Sequence, residues 1–391
     1  METLLKKLDL IEEEYAKEFE EVSTFIYDHP ELGDEEWISS QYLVDKIKGH
    51  GFEVEYPYKG IPTAFRAEFK NGTGPKVAFL AEYDALPGYG ENQDENGHAC
   101  GHNWIAASCY GACVVLAKLK DEFQGSIILM GTPAEETVGR KVDLVNLGAF
   151  DDIDMAFQIH LSTDNKVNAR FLAMDSIEFD FAGVPAHSAA FPEKGINALD
   201  AVNLTYAGIN ALRQHVRSDV RIHGIITNGG QAANIVPQRA TCQFYIRAAD
   251  RTYLNEVTEK VINCAKGAAL MTGATLSYRN YENSFDDLKR NVRLSERLKA
   301  QLQRVGVEEW ADGDTQVIGS SDVGNVSYVA ATAYAEMLIT DGQVDGAHTE
   351  EFLRLANSEA AMDKLHKAIK AMAATALEGL KDPQLFQENE V

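Results

Sequence analysis

The sequence lacks any apolar run long enough to cross a membrane. A spanning helix needs roughly 20 predominantly apolar residues, and the apolar segments of this chain are much shorter. The amino-terminal segment METLLKKLDLIEEEYAKEF alternates apolar and charged residues at helical spacing and has no apolar stretch of the kind found in export signals. We therefore expect a cytoplasmic protein that is neither exported nor membrane-spanning.

Basic residues are scarce relative to acidic ones. The chain has 36 Lys and Arg against 60 Asp and Glu, for a formal net charge of −24. Nucleic-acid backbones and anionic lipid surfaces are polyanions, so this charge disfavours both as partners. We expect no nucleic acid and no membrane among the partners, and solubility is the simplest use of the charge.

Cysteine is also scarce and shows no regular spacing. The five cysteines are Cys100, Cys109, Cys113, Cys242 and Cys264. An odd number without a framework is typical of a reducing compartment, where thiols stay free or bind metal. Only Cys100 has neighbours that suggest chemistry.

The first part of the chain has an α/β pattern. Short apolar runs at 76–83, 126–132 and 155–161 predict strands, and the stretch 103–120 predicts a helix. The three runs end at potential ligands, which are Asp84, Glu135 with Glu136, and His160. Because sites form at the carboxyl ends of such strands, these side chains are expected to converge.

A different pattern begins near residue 174. The segment SIEFDFAG alternates apolar and acidic residues, as a half-buried antiparallel strand does. It is followed by patterns for a helix, two strands, a helix and a strand at 195–216, 219–228, 239–248, 251–271 and 274–281, which make the compact unit βαββαβ. After 282–290 the pattern returns to helix, then an apolar run at 329–339 and a final helix from about Thr349 to Leu380. With 391 residues, two domains are expected.

Two segments and two separate histidines could build a metal centre. In GHACGHNW, Cys100 and His102 precede a helix for which Asn103 is available as N-cap, and Gly101 lets both side chains face one point. In GTPAEETVG, one carboxylate of the pair Glu135–Glu136 could bind metal while the other takes a proton from water. The alternatives are a buried thiol beside ordinary histidines and a solvated acidic loop.

His160 and His348, taken singly, are typical of capping or surface histidines. Together with Cys100, His102 and Glu136 they make five ligands of mixed N, S and O type, which is enough for two ions if one ligand bridges. A ligand at His348 would also make the βαββαβ unit an insertion in a discontinuous catalytic domain.

Six ordered motifs resemble the M20 metallopeptidase and amidohydrolase family, over residues from about 29 to 385. The motifs are AEYDALPG, GHACGHN, PAEE, QIH, AGVPAHSAAFPEKGINALDA and GAHTEEF. The segments HACGHN and GSSDVGNVSY most resemble the branch with aminobenzoyl-glutamate hydrolase subunits, β-alanyl-lysine dipeptidase-like proteins and N-acyl-amino-acid hydrolases.

The resemblance implies two divalent transition-metal ions, Mn²⁺ or Zn²⁺, and a role for each motif residue. Cys100 would bridge the ions, and the other ligands would be His102, Glu136, His160 and His348. Glu135 would be the general base for an attacking water, and Asp84 would orient a ligand. Many relatives carry a ligand histidine where this chain has Glu82, so Glu82 is not assigned as a ligand.

The second domain would complete the site. The resemblance makes His187 a lid residue that stabilises the developing oxyanion, with a turn histidine as the alternative. Asn234 and Arg247 have the spacing of relatives that bind a substrate carboxylate, although Arg247 could instead lie on an exposed strand face.

We therefore expect a two-domain α/β protein. A discontinuous metal-binding α/β catalytic domain would comprise 1–172 and 286–391, and a ferredoxin-like βαββαβ lid and dimerisation domain would comprise 173–285. The expected activity is hydrolysis of the amide bond of N-acyl amino acids or dipeptides by a homodimer. The alternatives are a catalytically inactive binding or regulatory protein of the same fold, and a cysteine-nucleophile enzyme, which would leave the carboxylate pair without a role.

Overall fold

A computed structural model describes residues 2–167, 169–311, 319–340, 344 and 346–387. The chain divides into two compact units. The first contains the described residues of 1–170, 288–318 and 322–391, and the second contains 171–287 and 319–321. The short segment 319–321 joins the second unit through hydrogen bonds from Leu172 N–H to the Gly319 carbonyl (3.0 Å) and from Arg247 Nη1 to Ser320 Oγ (3.0 Å).

The secondary structure of the described residues is given in chain order. The helices are α1 (Glu2–Tyr27), α2 (Trp37–Lys48), α3 (His102–Lys118), α4 (Arg140–Asn146), α5 (Ala198–Leu212), α6 (Arg251–Thr272), α7 (Val292–Arg304), α8 (Val323–Ser327), α9 (Glu350–Leu355) and α10 (Glu359–Lys381). The strands are β1 (Glu53–Glu55), β2 (Phe65–Asn71), β3 (Lys76–Ala81), β4 (Leu86–Tyr89), β5 (Glu95–Gly97), β6 (Gly125–Gly131), β7 (Met155–Ser162), β8 (Lys166–Val167), β9 (Ala173–Ala182), β10 (Arg221–Asn228), β11 (Arg239–Ala248), β12 (Thr275–Asn280) and β13 (Ala331–Leu338).

The first unit is built on a seven-stranded sheet with the order β1-β2-β6-β3-β7-β13-β8. The four neighbouring strands β6, β3, β7 and β13 are parallel, while β1, β2 and β8 pair antiparallel at the two edges. All seven residues of β6 are buried, as expected for a parallel strand covered on both faces. The parallel strands bring their carboxyl ends to one edge of the sheet.

Helix α3 is the centre of the packing in the first unit. From His102 to Ala117 every residue of this helix is buried, so it is enclosed on all sides rather than amphipathic. It packs against α1 and α10 as well as against the sheet, and the shared core includes Phe19, Trp104, Tyr110 and Phe157. The amino terminus of α3 is thereby held rigidly beside the carboxyl ends of the strands.

The second unit is a four-stranded antiparallel sheet with the order β10-β11-β9-β12. Its elements follow one another as βαββαβ, the order expected from the sequence, and α5 and α6 pack together on the sheet. On β9, Ile177, Phe179 and Phe181 are buried in this core, as the alternation in SIEFDFAG predicts. The expected α/β class is confirmed.

Two local predictions were wrong. Asn103 does not cap α3, because Gly101 occupies the N-cap position and the Asn103 amide instead donates to Ser23 Oγ (3.0 Å) and the Ala356 carbonyl (3.3 Å). The final helical segment is not continuous: α9 ends at Leu355, and α10 starts anew where the Ser358 side chain accepts from Ala361 N–H. Among the described residues, no helix is both long enough and apolar enough to cross a bilayer.

Candidate metal centre

The candidate ligands come from segments that are distant in the sequence and adjacent in the first unit. Strand β3 leads into Asp84, β6 leads into Glu135 and Glu136, and β7 carries His160 near its end. Cys100 and His102 stand at the start of α3. His348 precedes α9 and is anchored to the cysteine loop by a hydrogen bond from its N–H to the Ala99 carbonyl (2.9 Å).

Gly101 lets Cys100 and His102 face the same point. Its φ is 78°, in the left-handed region that glycine adopts without strain. A Cβ at this position would lie 3.0 Å from the Leu161 side chain. Both the backbone conformation and the lack of space therefore require glycine here.

The ligand atoms form two groups that share Cys100. Within the first group, Cys100, His102 and His160, the atoms lie within 4.8 Å of one another, and the same holds for the second group, Cys100, Glu136 and His348. Cys100 Sγ is 3.5 Å from His160 Nε2. A residue common to two groups is the arrangement that a ligand bridging two ions requires.

The Asp84 carboxylate orients two parts of this cluster. Its Oδ1 lies 2.8 Å from His102 Nδ1, and its Oδ2 accepts a hydrogen bond from Glu136 N–H at 2.9 Å. Although burial alone would lower it, Asp84 raises the pKa of His102 well above its ordinary value. His102 Nε2 is buried and hydrogen-bonds to none of the described residues. A histidine held by its other nitrogen, with Nε2 turned into a cluster of thiol, imidazole and carboxylate, fits a metal ligand.

Glu135 and Glu136 are adjacent but titrate in opposite directions. Burial opposes ionisation of Glu136, yet the hydrogen bond from His348 Nε2 to Oε1 (3.1 Å) helps to lower the pKa of Glu136 to about 2. Burial and then the charge of Glu82 raise the pKa of Glu135 well above its ordinary value. One carboxylate is therefore suited to hold a cation and the other to accept and release a proton.

The loop that carries this pair is held by a residue that the sequence analysis missed. Ala134 has a φ of 57°, and its N–H donates to Glu36 Oε1 at 2.7 Å. Glu36 is fully buried and also accepts from Thr63 Oγ1 at 2.8 Å. Glu36 lies in an acidic stretch with no ligand-like neighbours, so no sequence signal could have identified it.

The environment of Cys100 disfavours a thiolate unless a cation is near. Burial, followed by the charge of Glu136, raises the pKa of the Cys100 thiol well above its ordinary value. A thiol of this kind is a poor nucleophile by itself, which weighs against the cysteine-nucleophile alternative. His98 lies close by in sequence, but burial lowers its pKa to about 3 and it belongs to none of the candidate ligand groups of the described residues.

Three of the predicted residues, His187, Asn234 and Arg247, lie in the second unit. His187 is exposed, and its Nδ1 accepts from the N–H groups of Ala189 (3.3 Å) and Ala190 (3.2 Å), as a turn histidine does. Asn234 is also exposed, and its carbonyl accepts from Ser188 N–H at 3.1 Å. Arg247 is partly buried on β11, and its Nε has no hydrogen-bond partner among the described residues.

A model of one protein family matches most of the chain. Residues 78–381 match the family described as Peptidase family M20/M25/M40. The chain belongs to this family. The match includes each candidate ligand and the carboxylate Glu135.

The similarity extends to curated relatives and to solved structures. The chain is 34% identical over 377 residues to Xaa-Arg dipeptidase from Mus musculus, covering 90% of this chain and 85% of that protein. It is 33% identical over 324 residues to one of the two polypeptides of p-aminobenzoyl-glutamate hydrolase from Escherichia coli, covering 79% and 67%. Its fold is similar to that of a dinuclear metal-binding peptidase of family M20 from Bacillus subtilis, with a TM-score of 0.67, 19% identity, and coverage of 94% of this chain and 99% of that one.

The position of Asp84 generates a prediction about metal affinity. Asp84→Asn keeps the size of the side chain but removes the charge that holds His102, so we expect metal affinity to fall by roughly 10- to 100-fold. Competition of the purified variant against a chromogenic chelator measures this. The exposed Asp94 provides a matched control, and Asp94→Asn should bind metal as the unaltered protein does. Equal affinities for Asp84→Asn and the control would show that Asp84 does not support the centre.

Proposed function

We propose that this chain is a metal-dependent hydrolase that cleaves the amide bond of dipeptides or N-acyl amino acids. The carrying observation is the pair of ligand groups that share Cys100, with the raised-pKa carboxylate Glu135 beside them. The proposed ligands are Cys100, His102, Glu136, His160 and His348. Each of the two relatives reported above carries a name that denotes cleavage of a dipeptide or of an amide to an amino acid, which agrees with this reaction.

The donor set fits two divalent transition-metal ions. Thiolate and imidazole ligands favour Zn²⁺, whereas carboxylates also accept Mn²⁺, so we propose one of these two metals. When bound, two such ions polarise a carbonyl group and increase the acidity of water. The Bacillus subtilis protein of similar fold is itself named as dinuclear metal-binding.

The residues of the chain then divide the remaining work. Glu135 takes a proton from the attacking water and later gives it to the leaving nitrogen, because its raised pKa lets one carboxylate do both. Glu136 stays ionised, and Asp84 keeps His102 in the tautomer that presents Nε2 to the cluster. Glu36 fixes the backbone at Ala134, so that Glu135 and Glu136 keep their separate directions.

The role of Glu135 can be tested directly. Glu135→Gln removes the proton acceptor but none of the proposed ligands, so kcat should fall by about 10²- to 10⁴-fold while metal content is unchanged. Steady-state hydrolysis of a dipeptide or N-acyl amino acid, with elemental analysis of the same sample, measures both. Glu55→Gln, at an exposed position on β1, is the matched control and should keep full activity. Retained turnover in Glu135→Gln would rule out this carboxylate as the base.

We further propose that Arg247 binds the carboxylate of the substrate, with Asn234 and His187 as further contributors from the second unit. Burial lowers the pKa of Arg247, a sign that the guanidinium is desolvated and incompletely compensated. Its Nη1 donates to Ser320 Oγ, and the unpartnered Nε remains available for an anion. His187 would stabilise the developing oxyanion, and Asn234 would bind beside Arg247.

Paired substrates test the carboxylate proposal. We expect the unaltered protein to prefer a free carboxylate over the matching carboxamide, and Arg247→Lys to lose most of this preference because lysine lacks the guanidinium fork. Values of kcat/KM for the two substrates measure the preference. Arg279, exposed on β12, gives the control Arg279→Lys. An unchanged preference in Arg247→Lys would assign the carboxylate to another residue.

We also propose a homodimer formed through the second unit. Strand β10 lies at an edge of its sheet, and Ile225 and Ile226 on it are 63% and 44% exposed. Unpaired edge strands with apolar side chains favour pairing with another chain. Sedimentation velocity should show a species of twice the mass of the chain, and a monomer at all accessible concentrations would refute this proposal.

A further inference from the structure

A buried ion-paired cluster lies beside the candidate ligands. We call it the lysine cluster, and it consists of Glu82, Lys141 and Asp322. Lys141 and Asp322 are fully buried and Glu82 is 1% exposed. Lysine is almost never buried to this extent unless it is paired.

The Lys141 ammonium is held in place from several directions. Its Nζ donates to Glu82 Oε1 at 2.5 Å and to Asp322 Oδ1 at 2.7 Å. The second oxygen of Asp322 accepts from the N–H of Lys141 at 3.0 Å, so the same carboxylate fixes the backbone and the side-chain end of this residue. Lys141 therefore has a defined position rather than a mobile side chain.

The surroundings of Lys141 resemble a binding site for a hard divalent cation. Glu82, Glu135 and Asp322 each offer a carboxylate oxygen, and these oxygens lie within 4.8 Å of one another. Carboxylate oxygens are the preferred ligands of Mg²⁺, Ca²⁺ and Mn²⁺. One of the three carboxylates is the proposed general base.

A second observation shows that this cluster is not saturated by Lys141. Glu82 Oε2 is buried and makes no hydrogen bond to any described residue, and it lies 3.5 Å from the equally unpartnered His102 Nε2. Glu82 thus connects the lysine cluster to the candidate ligands. A divalent ion that entered this cluster would compete with the lysine for Glu82 and would also capture Glu135.

We propose that the Lys141 ammonium occupies the place of an additional divalent ion and thereby keeps Glu135 free of metal. Lys141 is on this account a positioning residue, which acts on the reaction through Glu135. Its effect on catalysis rests on the proposed function of Glu135, whereas its effect on metal binding does not. A base that is bound to metal cannot take a proton from water, so occupation of the cluster by an ion would inhibit the enzyme.

The deciding variant is Lys141→Met, which keeps much of the side-chain volume but removes the ammonium. We expect this variant to bind one more divalent ion per chain than the unaltered protein, measured with Mn²⁺ by equilibrium dialysis and elemental analysis. We also expect kcat to fall by roughly tenfold or more while KM changes little, because the base and not substrate binding is affected. A purely structural role for Lys141 would not increase metal content.

The matched control is the double variant Lys141→Met/Asp322→Asn. It removes one positive and one negative charge, so the buried charge is the same as in the unaltered protein, but only two carboxylates remain. We expect it to fold and to bind no additional ion. An equal gain of metal in the single and double variants would contradict the assignment of the ion to this cluster.

Stability provides a readout that does not depend on activity. Loss of a buried lysine leaves uncompensated carboxylates, so Lys141→Met should be destabilised without metal and recover with Mn²⁺, seen as a larger rise of Tm than in the unaltered protein. A single variant that gains neither an ion nor stability in excess Mn²⁺, while the double variant folds, would overturn the proposal. Failure of the general-base assignment would appear separately, as an additional ion without loss of kcat.

Discussion

The contacts of the Asp84 carboxylate hold the candidate centre together. One oxygen faces His102 at the start of α3, and the other accepts from the N–H of Glu136 after β6. The strand that supplies Asp84 lies between β6 and β7 in the sheet. A single buried side chain thereby connects the strand ends to the helix that carries the cysteine loop. Without it, His102 and Glu136 would each lose the contact that fixes their direction.

The buried charges in this region are dominated by carboxylates. Glu36, Glu82, Asp84 and Asp322 are all almost completely buried, and Lys141 is the buried lysine that pairs with two of them. Uncompensated charges are costly inside a protein, so a region with this excess of acidic groups favours bound cations. The raised pKa of His102 and the orphaned His102 Nε2 are consistent with the same need for positive charge. Metal ions satisfy it between the ligand groups, and on our proposal Lys141 satisfies it beside Glu135.

Much of this arrangement could be predicted from the sequence, because its signals are local. The apolar runs that become β3, β6 and β7 end directly at acidic residues or a histidine, and parallel strands bring such ends together. The motif around Cys100 and His102 is compact enough to be read without a structure. The alternation in β9 likewise predicts a half-buried strand with one apolar face.

What could not be predicted depends on partners that are far apart in the chain. Lys141 and Asp322 are 181 residues apart, and Glu36 reaches Ala134 over 98 residues. Each of these residues looks like an ordinary surface charge in its own segment. Asn103 was misassigned for a similar reason, because its tertiary partners Ser23 and Ala356 took precedence over the local capping role.

The central claim is that the Cys100 groups bind metal ions that the reaction requires. The most direct measurement is removal of metal with a chelator, followed by titration of Mn²⁺ or Zn²⁺ while bound metal and amide hydrolysis are recorded on the same sample. The account predicts that activity is lost on chelation and returns as two ions bind per chain. Full activity in metal-free protein, or protein that binds no transition metal at all, would contradict it.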